Sequence, residues 1–90
     1  MAAEESTKHN YKPKTGYVPN AETAIKIAVA VWESIYGEER IASEKPYKAT
    51  LVNGVWVVQG SLREEHTLGG VAVAEISKDD GRVLRVSHGK

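Results

Sequence analysis

Tyr47-Lys48-Ala49-Thr50-Leu51-Val52-Asn53-Gly54-Val55-Trp56-Val57-Val58-Gln59-Gly60 decides the fold of this 90-residue chain. Two β-rich runs flank Asn53-Gly54. An Asn-Gly pair suits a two-residue type I′ turn because both central positions need positive φ. Such a turn fixes the register, setting Val52 opposite Val55, Leu51 opposite Trp56 and Ala49 opposite Val58. One face then carries Tyr47, Ala49, Leu51, Trp56 and Val58, and the other Lys48, Thr50, Val52, Val55, Val57 and Gln59. The first is a core face. The second is half apolar, which points to a partner or ligand on that side of the sheet.

Upstream, Ala21, Ala24, Ile25, Ala28, Trp32, Ile35 and Tyr36 recur at helical spacing, with Ile27 and Val31 widening the stripe. Asn20 is the expected N-cap and Gly37 the expected stop, giving one helix of about four turns that should be well covered. Residues 38–46 read as a charged connection anchored by Ile41. Residues 1–18 are polar and aperiodic, a flexible N-terminal arm ending in the extended Gly16-Tyr17-Val18-Pro19, so the domain proper is 19–90. Downstream, a polar loop around Glu64-Glu65-His66 ends at Gly69-Gly70. A second hairpin then turns at Lys78-Asp79-Asp80-Gly81, with Gly81 left-handed. That turn predicts Ile76 opposite Leu84, Ala74 opposite Val86, Ala72 opposite His88, and Glu75 beside Arg85 on the outer face. The expected fold is α+β: one N-terminal helix packed on a four-stranded antiparallel meander, in a single domain.

Composition narrows the function. Twelve basic and twelve acidic residues cancel, which argues against a nucleic-acid binder, whose affinity comes from counterion release by a basic surface. With no cysteine, disulfides and thiolate metal sites are excluded, in keeping with the cytoplasm. The first ten residues lack the apolar core of a signal peptide. The longest apolar run, Ile27 to Trp32, is far too short to cross a bilayer, so no membrane association is expected.

Catalysis requires titratable groups converging in a pocket. His9 lies in the arm, His88 on the core side of the last strand, and His66 in a loop without the helical spacing of a zincin site. No nucleophile elbow, P-loop or dinucleotide fingerprint occurs. The reading is therefore of a protein with no catalytic residues, no metal and no cofactor.

Several stretches resemble a bacterial immunity-protein family whose fold is similar to nuclear transport factor 2 and whose genes lie beside polymorphic toxins. They are Gly16-Tyr17-Val18-Pro19-Asn20-Ala21-Glu22-Thr23-Ala24-Ile25, Tyr36-Gly37-Glu38-Glu39, Lys45-Pro46-Tyr47-Lys48-Ala49, Val55-Trp56-Val57-Val58-Gln59-Gly60, Gly69-Gly70-Val71, and Ile76-Ser77-Lys78-Asp79-Asp80-Gly81-Arg82-Val83-Leu84. The resemblance implies a cytoplasmic protein that neutralises a cognate toxin domain encoded by a neighbouring gene. With one long helix, the chain fits a cystatin-like form of that fold. The closing hairpin also resembles PepSY domains, some of which inhibit peptidases. A ketosteroid-isomerase-type enzyme sharing the cone-like fold is a further alternative, with Glu75 the one mid-strand acid.

For toxin binding, acidic clusters complement basic toxins. Glu33 and Glu38 oppose the dipole of the first helix, which points to another use. The candidate interface is Glu38, Glu39, Val55, Val57, Gln59, Glu64, Glu65, His66, Asp79 and Asp80. A homodimer through the outer sheet face is an alternative to a monomer.

Overall fold

Asn20 is extended, and its side chain accepts a hydrogen bond from the Thr23 amide at 2.8 Å. This satisfies one of the free N–H groups that open helix α1 (Ala21–Tyr36). The computed structural model describes residues 10–62 and 70–89. A short helix α2 (Glu38–Ala42) follows directly, where the sequence suggested an irregular connection, and its Ile41 is fully buried. Glu38 and Glu39 stand in the first turn of α2, where carboxylates are favoured. Their position thus has a local explanation that the sequence reading lacked.

Strands β1 (Lys48–Val52), β2 (Val55–Gln59), β3 (Ala72–Ser77) and β4 (Val83–His88) form one antiparallel sheet in sequential order. The architecture is α+β, a helix on a four-stranded meander. Asn53 and Gly54 take φ of 49° and 78°, and β1 pairs with β2 in the expected register. Helix α1 packs over β1, β2 and β3. Ala24, Ala28 and Trp32, on successive turns, meet Trp56, Val58, Ala72, Ala74 and Ile76, while Val18 and Ile41 join the same core. The alanines on both layers make room for the two indoles.

The second hairpin departs from expectation. Ala72, Ala74 and Glu75 pair with His88, Val86 and Arg85 as anticipated, but Ile76 pairs with Val83 rather than Leu84. The Ser77 amide bonds the Arg82 carbonyl at 2.9 Å, so counting from the turn places Ile76 opposite Val83. Counting from the far end places Glu75 opposite Arg85. The one-residue mismatch is absorbed as a bulge at Leu84, and Leu84 is 46% exposed.

Two other apolar residues are less covered than expected. Leu51, assigned to the core face, is 44% exposed because it lies beside the turn on an edge strand. Ile35 is 56% exposed in the last turn of α1, from which the chain swings into α2.

Of the segment read as an arm, residues 10–18 are described. The Tyr17 and Val18 amides bond the Asp79 and Lys78 carbonyls at 2.9 and 3.0 Å. Lys12 pairs with Asp79 at 2.7 Å, and Trp56 Nε1 donates to the Val18 carbonyl at 2.8 Å. Among the described residues no helix is long and apolar enough to cross a membrane.

Candidate functional site

Below the C-terminal end of α1, the chain buries a carboxylate. Glu44 is 2% exposed, the one buried charged residue among those described. Its backbone is fixed first: its amide bonds the Ile41 carbonyl at 3.0 Å and its carbonyl accepts from the Ser61 amide at 2.7 Å. The side chain then collects donors from three places. Oε1 accepts from the Ala72 amide at 2.8 Å. Oε2 lies 2.7 Å from His88 Nε2 and 3.3 Å from Arg40 Nε. The β3–β4 register sets Ala72 opposite His88, so both reach the same carboxylate. Arg40, four residues before Glu44, reaches it along the chain. Gly60 makes the space: a Cβ there would stand 2.8 Å from the Glu44 Cβ.

His88 is held from its other side as well. Its Nδ1 lies 2.9 Å from the Gly89 carbonyl, and the Tyr36 ring meets the imidazole edge-on with centroids 5.1 Å apart. Tyr36, Arg40 and His88 line a cavity of about 480 Å³. Both imidazole nitrogens lie against protein oxygens rather than facing the cavity. The cavity wall therefore presents an aromatic face and a guanidinium, a binding chemistry.

Nearby, the Tyr47 hydroxyl donates to the Ile41 carbonyl at 2.8 Å. Burial pushes its phenol pKa above the ordinary value of 10.0, and the Glu33 and Glu44 carboxylates add to the rise. Its ring packs on Trp32 at 5.8 Å between centroids. Trp32 Nε1 is buried with no hydrogen-bond partner among the described residues. No group of three or more His, Asp or Glu among those residues is placed to hold a metal ion.

The candidate interface residues separate into different regions. Glu38 and Glu39 are exposed on α2, next to Arg40. Val55 and Val57 are half-buried and Gln59 exposed, all on the outer face. There Val57 lies between Thr50 and Glu75, and Gln59 between Lys48 and Val73. Asp79 and Asp80 are exposed in the β3–β4 turn, which contacts the chain entering α1. That turn meets the chain ahead of α1, whereas Glu38 and Glu39 follow its far end, the helix itself being about 24 Å long at 1.5 Å per residue. Asp79 is paired with Lys12, which raises the lysine pKa above its usual value. Asp80 is held below the usual carboxylate range by the Arg82 amide and then by the Ser77 hydroxyl, and its other oxygen meets the Arg82 guanidinium at 3.2 Å. Glu64, Glu65 and His66 lie outside the described residues. Glu75, the acid an isomerase would need in a cavity, is on the outer face and pairs with Arg85 at 3.2 Å.

The sequence reading left Glu44 within the charged connection of residues 38–46 and gave Arg40 no role. The Arg40/Glu44 spacing was the one local signal; the Ala72 and His88 contacts depend on the tertiary fold.

This architecture, one long helix over a four-stranded meander, accompanies a match to the family described as NTF2 fold immunity protein, which covers residues 23–90. The chain belongs to that family. It is similar to YhhH of Escherichia coli (strain K12), described as an uncharacterized protein, at 38% identity over 73 residues, which are 81% of this chain and 58% of that protein. It is also similar to YbbC of the same strain, likewise described as uncharacterized, at 34% identity over 85 residues, 94% of this chain and 64% of that protein. The chain thus spans less than two thirds of the length of these curated relatives. No solved structure matches it.

Proposed function

We propose that this protein binds a cognate bacterial toxin domain encoded by a neighbouring gene and neutralises it by non-covalent occlusion, in the cytoplasm and without catalysis or cofactor. The observation that carries this reading is membership of the immunity family over residues 23–90. The proposed contact surface is the outer sheet face at Val55, Val57 and Gln59, together with the exposed acids Glu38 and Glu39 of α2. Exposed acids of this kind steer a basic partner into place. Asp79 and Asp80, each already facing a cation, contribute less to that field.

Co-expressing the chain with the C-terminal domain encoded immediately upstream tests the proposal. Restored growth together with a one-to-one complex on co-purification supports it. Toxicity without rescue, or a neighbouring domain that is not toxic, overturns it.

A further inference from the structure

The cavity lined by Tyr36, Arg40 and His88 contains a guanidinium whose end-on Nη1/Nη2 edge is unused among the described residues. Glu44 takes Arg40 at a single point, Oε2 to Nε, while Oε1 accepts from the Ala72 amide and Oε2 also faces His88 Nε2. Among the described residues nothing bonds Nη1 or Nη2 of Arg40. Its side chain is 38% exposed against 3% for Glu44, so the group is anchored at its root and open at its tip. A planar fork of N–H donors matches a carboxylate in geometry, and the anchoring removes much of the ordering cost of binding one. Tyr36 supplies an aromatic wall, fixed by its packing on His88.

We infer that this cavity is a receptor for a carboxylate attached to a short apolar group, bound through Nη1 and Nη2 of Arg40 with the apolar portion against Tyr36. Resting on the toxin-binding reading above, the occupant is an Asp or Glu side chain presented by the toxin. Charge selects a carboxylate over a phosphate. Arg40 already faces one buried acid, and Glu38 and Glu39 precede it in the same helix, so a doubly charged anion meets more repulsion than a singly charged one. The site complements the acidic residues of α2: they meet basic groups of the partner, and Arg40 meets an acid among them.

The test is an NMR titration of the full chain with phenylacetate, and with phenylacetamide as its neutral counterpart. Phenylacetate is expected to shift Arg40 Hε and the Tyr36 and His88 ring signals saturably, with a Kd on the order of millimolar. Phenylacetamide and inorganic phosphate are expected to bind at least about tenfold more weakly. Arg40→Gln abolishes the saturable shifts, and Arg40→Lys, which keeps the charge but loses the fork, weakens them. Equal binding of acid and amide, tighter binding of phosphate, or unchanged titrations in folded Arg40→Gln and Arg40→Lys variants overturn the carboxylate site. In a second arm, Arg40→Gln is expected to weaken binding to the neighbour-encoded toxin domain about tenfold. Phenylacetate binding with toxin affinity unchanged by Arg40→Gln overturns the assigned occupant and leaves the carboxylate site standing. If the wild-type chain binds no toxin domain, the toxin-binding reading fails and the occupant falls with it, while the titration decides the cavity by itself.

Discussion

Replacing Glu44 by alanine removes the acceptor for Ala72 N–H, Arg40 Nε and His88 Nε2 at once. The three losses differ in size. Ala72 is fully buried, and an amide left unsatisfied there costs about 1–3 kcal/mol. His88, with 15% of its side chain exposed, loses a bond to an ionised partner, a class worth about 1.5–3 kcal/mol. Arg40, at 38%, recovers much of its loss from water and adds less than about 1 kcal/mol. The expected destabilisation is about 3–5 kcal/mol, the range for breaking a buried ionic contact from one side.

For a chain of this size the whole stability is about 5–13 kcal/mol, so the thermal midpoint should fall by roughly 15–25 °C. Urea unfolding followed by circular dichroism reads the same change as a lower midpoint with an unchanged slope. Glu44→Gln keeps an oxygen for Ala72 but turns an NH₂ toward donors, and should lie between wild type and Glu44→Ala. A Glu44→Ala melt within about 3 °C of wild type refutes the reasoning. So does a coupling of less than about 0.5 kcal/mol between Glu44→Gln and His88→Gln in a double-mutant cycle.

Trp56→Phe removes the donor to the Val18 carbonyl; a loss of about 1–2 kcal/mol is expected, with faster hydrogen exchange at the Tyr17 and Val18 amides. Unchanged exchange there would show that the indole does not hold that segment. Gly60→Ala sets a methyl group 2.8 Å from the Glu44 Cβ and should destabilise by about 1–3 kcal/mol. In a Glu44→Gly background, which removes that Cβ, the same change should cost much less. The Tyr47 phenol titrates above 10.0 in the folded chain. In the unfolded chain it ionises first, so stability is expected to fall as pH rises from the unfolded value toward the folded one. Urea midpoints between about pH 9 and 11 should show a shallower alkaline decline in Tyr47→Phe than in wild type.

The parts of the fold legible in the sequence were those set by local chemistry. Asn53-Gly54 determines its turn and therefore the pairing of β1 with β2, and Asn20 caps α1 through its own side chain. The second hairpin was legible only in pieces. The far end of the ladder was read correctly, but the turn closes at Ser77 and Arg82, one residue longer than expected, and no local preference says where the excess falls. Glu44 left still less trace. Its side-chain partners Ala72 and His88 lie 28 and 44 residues away, so in the sequence it is one acid among several beside a helix end. The apolar pattern over 21–36 gave the helix but not the exposure of Ile35, which depends on where α2 leads the chain.

The bulge at Leu84 also affects the sheet as a template for other chains. A long, straight edge strand invites a second molecule to add its own strand, the usual beginning of aggregation. At β4 the extra residue interrupts the even spacing of edge amides and carbonyls, and Arg82 just before the strand and Arg85 within it carry like charges. At β1 the opposite edge is only five residues long, follows Pro46 and begins with Lys48. The irregularity that leaves Leu84 exposed thus makes lateral growth of the sheet harder, and each edge resists strand addition by a different device.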